Sequence, residues 1–452
     1  MNTSRLTLLA CCIAQLMVTL DSSILSVALA DLRGDLGLTA NQLPWAVNAF
    51  AIPLASLLLF AGRLSDRYGA RRVLIIGVFA FAAASLLAGL ATSPGMLFAG
   101  RALQGTGAAL MSTACLALLS RSFPEGPSRA KAFGLWAAAA GSGGAIGVIA
   151  GGILVDLFDW RWTLLINVPI AAVLIILLTR VPAAVPTQRP RLNLPSTIAF
   201  AIAALSAVFA VSSLGDGAEN RTLTPWIALA IGVAGAVGFV LAENRSRDPL
   251  IPLAARRNLS LWLPAGGMFL VGGAMTCVFY FAALSFQLFH QLSPLQTGLA
   301  FLPLSLGAFL TAASGHVLQR QIGTGASALI GTAVMCLALG AMWLTAPIVT
   351  PVYLIVFSGV FGLGMGIALS SISDVSTKSL PPAQAGAASG ILTTSQQVGN
   401  SIGLAIATTI DTTSPTPWHA TGLAGAAVIA LLALVPLAVF AGRTRRARHG
   451  AS

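Results

Sequence analysis

Charged residues are scarce in this sequence, where Asp, Glu, Lys and Arg make up only 8% of 452 residues. Apolar residues account for 56%, and the mean hydropathy is +0.87. A soluble domain of this length needs far more charge on its surface, so the composition excludes a water-soluble enzyme or binding domain. Long apolar runs take the place of the missing charge, and they predict a protein embedded in a membrane.

Lysine and cysteine are also rare, and their positions exclude two kinds of chemistry. The two lysines follow Ala130 and Thr377, whereas a phosphate-binding loop needs lysine directly after glycine. The loops between the apolar runs are too short for a nucleotide-binding domain. We therefore expect no cofactor and no use of ATP, and we expect an ion gradient as the energy source. The five cysteines lie within apolar runs without metal-ligand spacing, which predicts packing roles and no metal site: Cys11, Cys12, Cys115, Cys277 and Cys336.

Fourteen apolar runs can be distinguished, each about 18 or more residues long, which is enough for a helix to cross the hydrocarbon layer. The first is too long for a signal peptide and no cleavage site follows it, so we expect it to remain as a helix. The runs lie at residues 7–29, 43–62, 73–92, 95–119, 133–155, 162–179, 194–214, 224–242, 260–289, 294–314, 325–346, 351–373, 387–410 and 421–441.

Basic residues concentrate in every second gap between these runs. With a cytoplasmic N-terminus, only Arg33, Arg161 and Arg221 of the 25 lysines and arginines fall in outward gaps, and Arg101 falls within a run. Basic loops stay in the cytoplasm during insertion. The pattern predicts a multi-pass bacterial inner-membrane protein with both termini cytoplasmic. The net charge of +12 then reflects topology and attraction to anionic lipid, with no nucleic-acid partner.

An internal repeat predicts the domain organisation. A glycine-bounded turn at 62–72 follows the second run, and a weaker copy at 315–323 follows the tenth. Such repeats are typical of duplicated helix bundles with a binding site between the halves. We therefore predict a six-helix bundle at 1–190, two extra helices and a cytoplasmic linker at 191–258, a second six-helix bundle at 259–442, and a basic tail at 443–452.

Asp21 is the costliest residue to place in a membrane. It lies about 21 Å into the first predicted helix, and a carboxylate at that depth costs roughly 2.5–3.5 kcal/mol on insertion scales. Arg101 lies at a similar depth on the fourth run and is the expected partner. Drying of the surrounding cavity would favour the neutral acid, which makes Asp21 a candidate proton carrier. The alternative is a permanent ion pair that only joins two helices.

Two further groups of residues are candidates for conformational gating. Asp66 and its basic neighbours occupy the 62–72 turn, where Gly62 and Gly69 permit a sharp reversal; a plain basic cytoplasmic loop is the alternative. Glycines spaced four apart on the fifth run form a smooth face, for which packing alone is the alternative. The full set is Gly62, Asp66, Arg67, Gly69, Arg71, Arg72, Gly143, Gly147, Gly151 and Gly152.

Polar residues within apolar runs are candidates for contacts with a substrate. An amide in hydrocarbon needs a partner or water, so these side chains are expected to face a cavity. The candidates are Gln15, Asn48, Gln104, Tyr280, Gln287, Gln396 and Asn400.

Two motifs resemble the major facilitator superfamily. The 62–72 turn resembles its signature loop after the second helix, with Ala70 where a basic residue is usual. The segment 97–109 matches its fourth-helix motif, which implies a role for Arg101 in proton transfer: Leu97-Phe98-Ala99-Gly100-Arg101-Ala102-Leu103-Gln104-Gly105-Thr106-Gly107-Ala108-Ala109.

Further segments resemble the fourteen-helix drug:proton antiporter branch of that superfamily. They are 20–29 in the first run, Trp160-Arg161-Trp162, and Ile166-Asn167-Val168-Pro169. The extra central pair of helices fits this branch too. One departure is Val148, which replaces the usual proline of the fifth-helix motif, so that the helix should bend less there.

These observations predict a proton-coupled exporter of amphipathic drug-like molecules that works by alternating access and is not an enzyme. It would act as a monomer whose partners are its small-molecule substrate, protons and membrane lipid. A dedicated exporter of one natural product is the nearest alternative, and a proton-coupled nutrient symporter is a second. A sensor or membrane enzyme is the alternative from another class.

Overall fold

The structure is a computed structural model and describes residues 3–124, 126–182, 192–214, 223–345, 350–380, 385–413 and 420–449. These ranges contain helices and no strand. The helices are α1 (Thr3–Leu36), α2 (Trp45–Tyr68), α3 (Ala70–Gly89), α4 (Pro94–Ser122), α5 (Pro127–Leu157), α6 (Arg161–Leu165), α7 (Asn167–Thr179), α8 (Leu194–Ser213), α9 (Thr224–Arg245), α10 (Leu253–Arg256), α11 (Leu259–Leu284), α12 (Pro294–Ala300), α13 (Leu302–Ile322), α14 (Thr324–Thr345), α15 (Val352–Lys378), α16 (Ala385–Thr413) and α17 (Ala420–His449).

Thirteen helical segments in the described part of the chain are long and apolar enough to cross a membrane. The predicted run 387–410 lies in α16, which has 29 residues but is not among the thirteen. This helix carries Gln396, Gln397 and Asn400, and such amides make a helix more polar. The other thirteen predicted runs each correspond to a candidate span.

Three of the predicted spans are locally interrupted. The run 162–179 forms α6 and then α7, and the run 294–314 begins as α12 and continues in α13 after Phe301. Pro169 and Pro303 lie just after these breaks, where each lacks the N–H that would bond to the preceding turn. The run 260–289 ends in a π-helical turn, Ser285–Phe289.

The described contacts divide the chain into two compact units. The first comprises Met1–Ser206, Ala228–Leu250 and Ser293–Leu299. Within it α1 packs on α5, α2 packs on α4, and α3 packs on α4. The central helices α8 and α9 pack on each other, with the Phe200 and Phe239 rings 5.4 Å apart. Much of the outward surface of this central pair is apolar, as expected of helices that face lipid.

The second unit comprises Ala207–Ile227, Ile251–Leu292 and Ala300–Ser452. Its closest helix pairs are α14 with α15, α11 with α16, and α13 with α15. Glycines let these backbones approach closely: a Cβ on Gly403 would collide with Gly273, and one on Gly331 would lie 2.6 Å from Ala368 N.

The predicted domain boundaries at 190/191, 258/259 and 442/443 remain predictions. The junction at 190/191, Arg221 and the end of the 443–452 tail lie outside the described residues.

Candidate functional site

A buried ion pair lies inside the first unit. Asp21 is 0% exposed and Arg101 is 1% exposed, and Arg101 Nη1 lies 2.5 Å from Asp21 Oδ2. The two residues lie within helices α1 and α4, away from the helix ends. The structure thus brings together the two residues for which the sequence predicts proton coupling. Buried charges of opposite sign at this distance offset part of each other's desolvation cost.

Two amides complete the shell of donors around the Asp21 carboxylate. Gln104 Nε2 donates to Asp21 Oδ1 at 3.0 Å, and Asn167 Nδ2 donates to the same oxygen at 2.8 Å. Gln104 Nε2 also donates to Ser85 Oγ at 2.7 Å, while Gln104 Oε1 accepts from Arg101 Nη1 at 2.9 Å. All these side chains are buried. The carboxylate therefore accepts hydrogen bonds from both α4 and α7.

Arg101 makes two further contacts with α2. Its Nε donates to the Ala46 carbonyl at 3.1 Å, and its guanidinium lies 4.5 Å from the centre of the Phe50 ring. A cation held over an aromatic face is stabilised by the ring's electron density. Gly105 permits this approach of α2 and α4, because a Cβ there would collide with the Phe50 carbonyl. The arginine is thus fixed by four contacts: the Asp21 carboxylate, the Gln104 amide oxygen, the Ala46 carbonyl and the Phe50 ring.

The predicted glycine face of α5 packs directly on α1. A Cβ on Gly143 would collide with Thr19, one on Gly147 with Ser23, and one on Gly151 would lie 2.9 Å from the Ile24 carbonyl. These contacts flank Asp21 on its own helix. Ser23 Oγ donates to the Gly143 carbonyl at 3.2 Å. The four-residue spacing therefore serves a close α1–α5 contact, and its gating role remains a prediction.

Gly152 lies on a different face of α5, against the start of α12. A Cβ on Gly152 would lie 2.6 Å from Leu295 Cα, and one on Gly298 would collide with the Val148 carbonyl. Val148 is fully buried at this contact. Val148, which stands where the motif usually has proline, therefore packs against Gly298 of α12.

The 62–72 turn reverses the chain at one glycine. Gly69 ends α2 with φ 93° and ψ 127°, a conformation that favours glycine, and its N–H bonds to the Ser65 carbonyl. The expectation that Gly62 also takes part in the reversal is wrong, because Gly62 lies inside α2. The predicted copy has the same geometry: Gly323 ends α13 with φ 88° and bonds to the Gln319 carbonyl.

The charged residues of this turn make separate contacts. Arg121 Nη2 lies 3.4 Å from Asp66 Oδ1 in a partly exposed pair. Arg71 donates to the Leu178 and Thr179 carbonyls, both at 2.9 Å, and so places a positive charge at the C-terminal end of α7. The Arg67 guanidinium lies 5.6 Å from the Tyr68 ring, and Arg72 is exposed.

The candidate substrate residues of the first unit differ in their surroundings. Gln104 is bound into the Asp21–Arg101 network described above. Asn48 is fully buried, and neither polar atom of its side chain has a partner among the described residues. Gln15 is half-buried, with its Oε1 likewise unpartnered. Of the three, Gln15 and Asn48 keep polar atoms free for other contacts.

The candidate substrate residues of the second unit lie on α11, the π-helical turn and α16. Tyr280 is 4% exposed with its ring 5.2 Å from that of Phe281, and Gln287 is 9% exposed. Asn400 is 9% exposed, and its amide lies 2.8 Å from the Gly272 carbonyl when Nδ2 faces that oxygen. Gln396 is half-buried on the same helix. The Asn400 contact joins α16 to α11.

Sequence reasoning missed Asn167 and Ser85 as members of the network. Asn167 was noticed only within a motif, although an asparagine inside an apolar run is itself a signal of a buried polar partner. It also missed that Trp160 and Arg161 bind one carboxylate: Trp160 Nε1 donates to Asp35 Oδ2 at 3.1 Å, and Arg161 Nη2 lies 2.8 Å from it.

Comparison with known proteins identifies the family. The model of the Major Facilitator Superfamily matches residues 11–404. The puromycin resistance protein of Streptomyces alboniger is 35% identical over 412 residues, covering 88% of this chain and 80% of the relative. The cephamycin export protein of Amycolatopsis lactamdurans is 34% identical over 431 residues, covering 90% and 85%. The multidrug resistance protein Stp of Mycobacterium tuberculosis is 32% identical over 410 residues, covering 90% and 75%.

Solved structures show the same fold. A peptide transporter aligns with a TM-score of 0.71 at 15% identity, covering 97% of this chain and 94% of that one. The human organic anion transporter MFSD10 aligns with a TM-score of 0.65 at 16% identity, covering 96% and 99%. With its all-helical architecture and thirteen candidate spans, the chain is a multi-pass membrane transporter that belongs to the major facilitator superfamily.

Proposed function

We propose that this protein exports amphipathic drug-like molecules from the cytoplasm by exchanging them for protons. The observation that carries this proposal is that relatives at 32–35% identity over most of the chain are named for antibiotic resistance or export. The mechanism is alternating access, in which the substrate site opens first to the cytoplasm and then to the outside. The protein itself would catalyse no covalent chemistry.

Asp21 is the proposed proton carrier, and Arg101 is its counter-ion. Protonation would neutralise the carboxylate and release Arg101 from its ion pair, so that the contact between α1 and α4 depends on proton loading. One proton entering the cell yields about 2.3 kcal/mol per 100 mV and about 1.4 kcal/mol per pH unit. This gradient would drive export without ATP or any bound cofactor.

The proposed topology has fourteen membrane-spanning helices with both termini in the cytoplasm. In support, α16 is long enough to cross a membrane. This helix, which carries the Gln396, Gln397 and Asn400 amides, packs against α11 and is not isolated. We propose two six-helix bundles, 1–190 and 259–442, with α8 and α9 as the additional pair between them. A monomer surrounded by lipid is sufficient for this mechanism.

The remaining proposed roles follow from the packing. We propose that Gln15 and Asn48 of the first unit, and Tyr280, Gln287, Gln396 and Asn400 of the second, contact the substrate, and that Gln104 is linked to the proton site. The charged 62–72 turn would act in gating, since its polar contacts can form and break with little hydrophobic cost. The glycine face of α5 is proposed to take part in gating through its close contact with α1.

A second candidate function is export of one natural product. It is favoured by the names of several relatives, which each specify a single antibiotic: puromycin, cephamycin, lincomycin and tetracenomycin C. A susceptibility screen separates the two, because a dedicated exporter protects against one chemical class and a multidrug exporter against several. Import by symport predicts instead that collapsing the proton gradient lowers dye accumulation.

The decisive experiment compares wild type with Asp21→Asn in an efflux-deficient bacterial host. Wild type should lower susceptibility and cell-associated dye, and Asp21→Asn should abolish both effects at equal expression. The matched control is Asp159→Asn, which neutralises a partly exposed carboxylate that binds Arg161 and should leave export near the wild-type level. Full gradient-dependent export by Asp21→Asn would refute the coupling role.

A further inference from the structure

Around Asp21, every direct hydrogen-bond partner is a donor. Oδ2 faces Arg101 Nη1, and Oδ1 faces Gln104 Nε2 and Asn167 Nδ2. This arrangement suits a carboxylate, which only accepts hydrogen bonds. A protonated Asp21 carries an O–H donor, and none of the three facing groups is able to accept it. Protonation therefore requires one neighbour to present an acceptor.

Asn167 is the neighbour with an acceptor to spare. Its Oδ1 is buried and has no hydrogen-bond partner among the described residues. Gln104 Oε1, by contrast, already accepts from Arg101 Nη1. Leaving a buried carbonyl without a partner is unfavourable, and the χ2 torsion of asparagine has a broad, roughly two-fold profile. Turning this amide by about half a turn replaces its donor with its acceptor toward Asp21.

We propose that Asn167 positions the proton on Asp21, and that its amide reverses between the two protonation states. In the ionised state Asn167 Nδ2 donates to Asp21 Oδ1. When a hydronium ion delivers its proton there, an O–H bond forms, water is released, and the reversed Asn167 Oδ1 accepts from that O–H. Unloading runs the same steps backwards. This inference rests on the proposed role of Asp21 as proton carrier.

The charged groups of the other helices packed on α1 do not supply an acceptor for protonated Asp21, so the acceptor comes from α7. Arg101 on α4 is the charged side chain that faces Asp21 among the described residues, and it is a donor only. The charged groups of α5 and α6 are engaged or exposed elsewhere: Arg161 with Asp35, Asp156 with Ser293, Arg129 with the Ser120 and Phe123 carbonyls, and Lys131 at the surface. A buried acid can thus be loaded without leaving its new O–H unpaired.

Infrared difference spectra between acidic and alkaline buffer test this on the full-length protein in lipid vesicles. The carbonyl band of protonated Asp21 is identified by its loss in Asp21→Asn. Asn167→Leu removes the amide at similar volume, and it should move the Asp21 band to higher frequency, because a carboxyl O–H without an acceptor has a stiffer C=O bond. The matched control, Asn244→Leu, removes an exposed amide near the end of α9 and should leave the band in place.

A second measurement needs no variant and so does not depend on the folding of Asn167→Leu. Wild-type protein with a ¹³C-labelled asparagine side-chain carbonyl should show a label-sensitive band in the same spectra, as expected if an amide changes partners. An Asp21 band whose frequency is the same in wild type and Asn167→Leu overturns the inference alone. The absence of any Asp21 band in wild type overturns both the inference and the coupling role, so the two failures are distinguishable.

Discussion

Two buried carboxylates, Asp21 of the first unit and Asp411 of the second, have different kinds of partner. In the first, Asp21 lies within α1 and binds Arg101 together with two amides. In the second, Asp411 lies near the end of α16, where its Oδ1 accepts from Thr421 Oγ1 at 2.7 Å and from Gly422 N at 3.2 Å. The second arrangement places a negative charge at the N-terminus of α17, where it stabilises the helix.

This difference in partners indicates different roles for the two carboxylates. The Asp411 carboxylate at the end of α16 accepts from the first turn of α17, the next helix along the chain, and so joins two consecutive helices. The Asp21 carboxylate forms an ion pair with an arginine of another helix, a contact that depends on its charge. We therefore propose that chemistry that responds to protons is concentrated in the first unit, and three substitutions sharpen or break this contrast.

The largest effect is expected from Arg101→Leu. It removes the counter-charge of a fully buried carboxylate, and breaking one partner of such a pair costs about 3–5 kcal/mol. Thermal unfolding of the purified protein should show this loss. The double variant Asp21→Asn with Arg101→Leu should recover part of the stability without recovering export. Equal stability of the single variant and wild type would mean that the pair contributes nothing to the fold.

An intermediate effect is expected from Gly147→Ala, which places a methyl group where Ser23 of α1 lies. Overpacking of this kind costs about 1–3 kcal/mol. Gly144→Ala is the matched control on the same helix, since a Cβ there meets nothing within 4 Å, and it should stabilise slightly or leave the protein unchanged. Unfolding temperatures of the two variants measure the difference. If both behave alike, the α1–α5 contact is looser than described.

The smallest effect is expected from Asp411→Asn. Losing the charge at the α17 N-terminus should lower the free energy of unfolding by about 0.5–2 kcal/mol. The loss is small because asparagine retains an acceptor for Thr421. Proton-coupled flux in vesicles should remain close to that of wild type. A loss of coupling as complete as that of Asp21→Asn would show that the second unit also carries proton chemistry, and the contrast between the units would then fail.

Much of the architecture was predictable from the sequence, because hydrophobic length and charge alternation act over whole helices. The positions of thirteen spans and the Asp21–Arg101 contact belong to this class. The depth argument succeeded for that pair because two opposite charges in hydrocarbon have few alternatives to each other. Family membership was likewise legible in short motifs, since 97–109 and 62–72 are specific in combination.

What the sequence did not reveal depends on details finer than a helical turn. Whether Gly62 bends the chain is decided by backbone torsions, and its place inside α2 was not visible from composition. Ser85 and Asn167 join the network because of the rotation of α3 and α7 about their axes, which apolar runs without clear periodicity leave undetermined. The polar residues of α16 lower its mean hydropathy, so that it does not stand out as a membrane span, although its amides are partly buried against neighbouring helices.

The similar chain reversals at Gly69 and Gly323 have a consequence for the substitutions that these two turns tolerate. Both bends have a glycine at positive φ whose N–H bonds to a carbonyl four residues earlier, yet four arginines lie within 62–72 and one, Arg320, lies within 315–323. Because each bend depends on a glycine at positive φ, the charged residues around it can differ while the backbone of the bend stays the same. The charged residues beside Gly69 or Gly323 can therefore be substituted without altering the backbone of the turn.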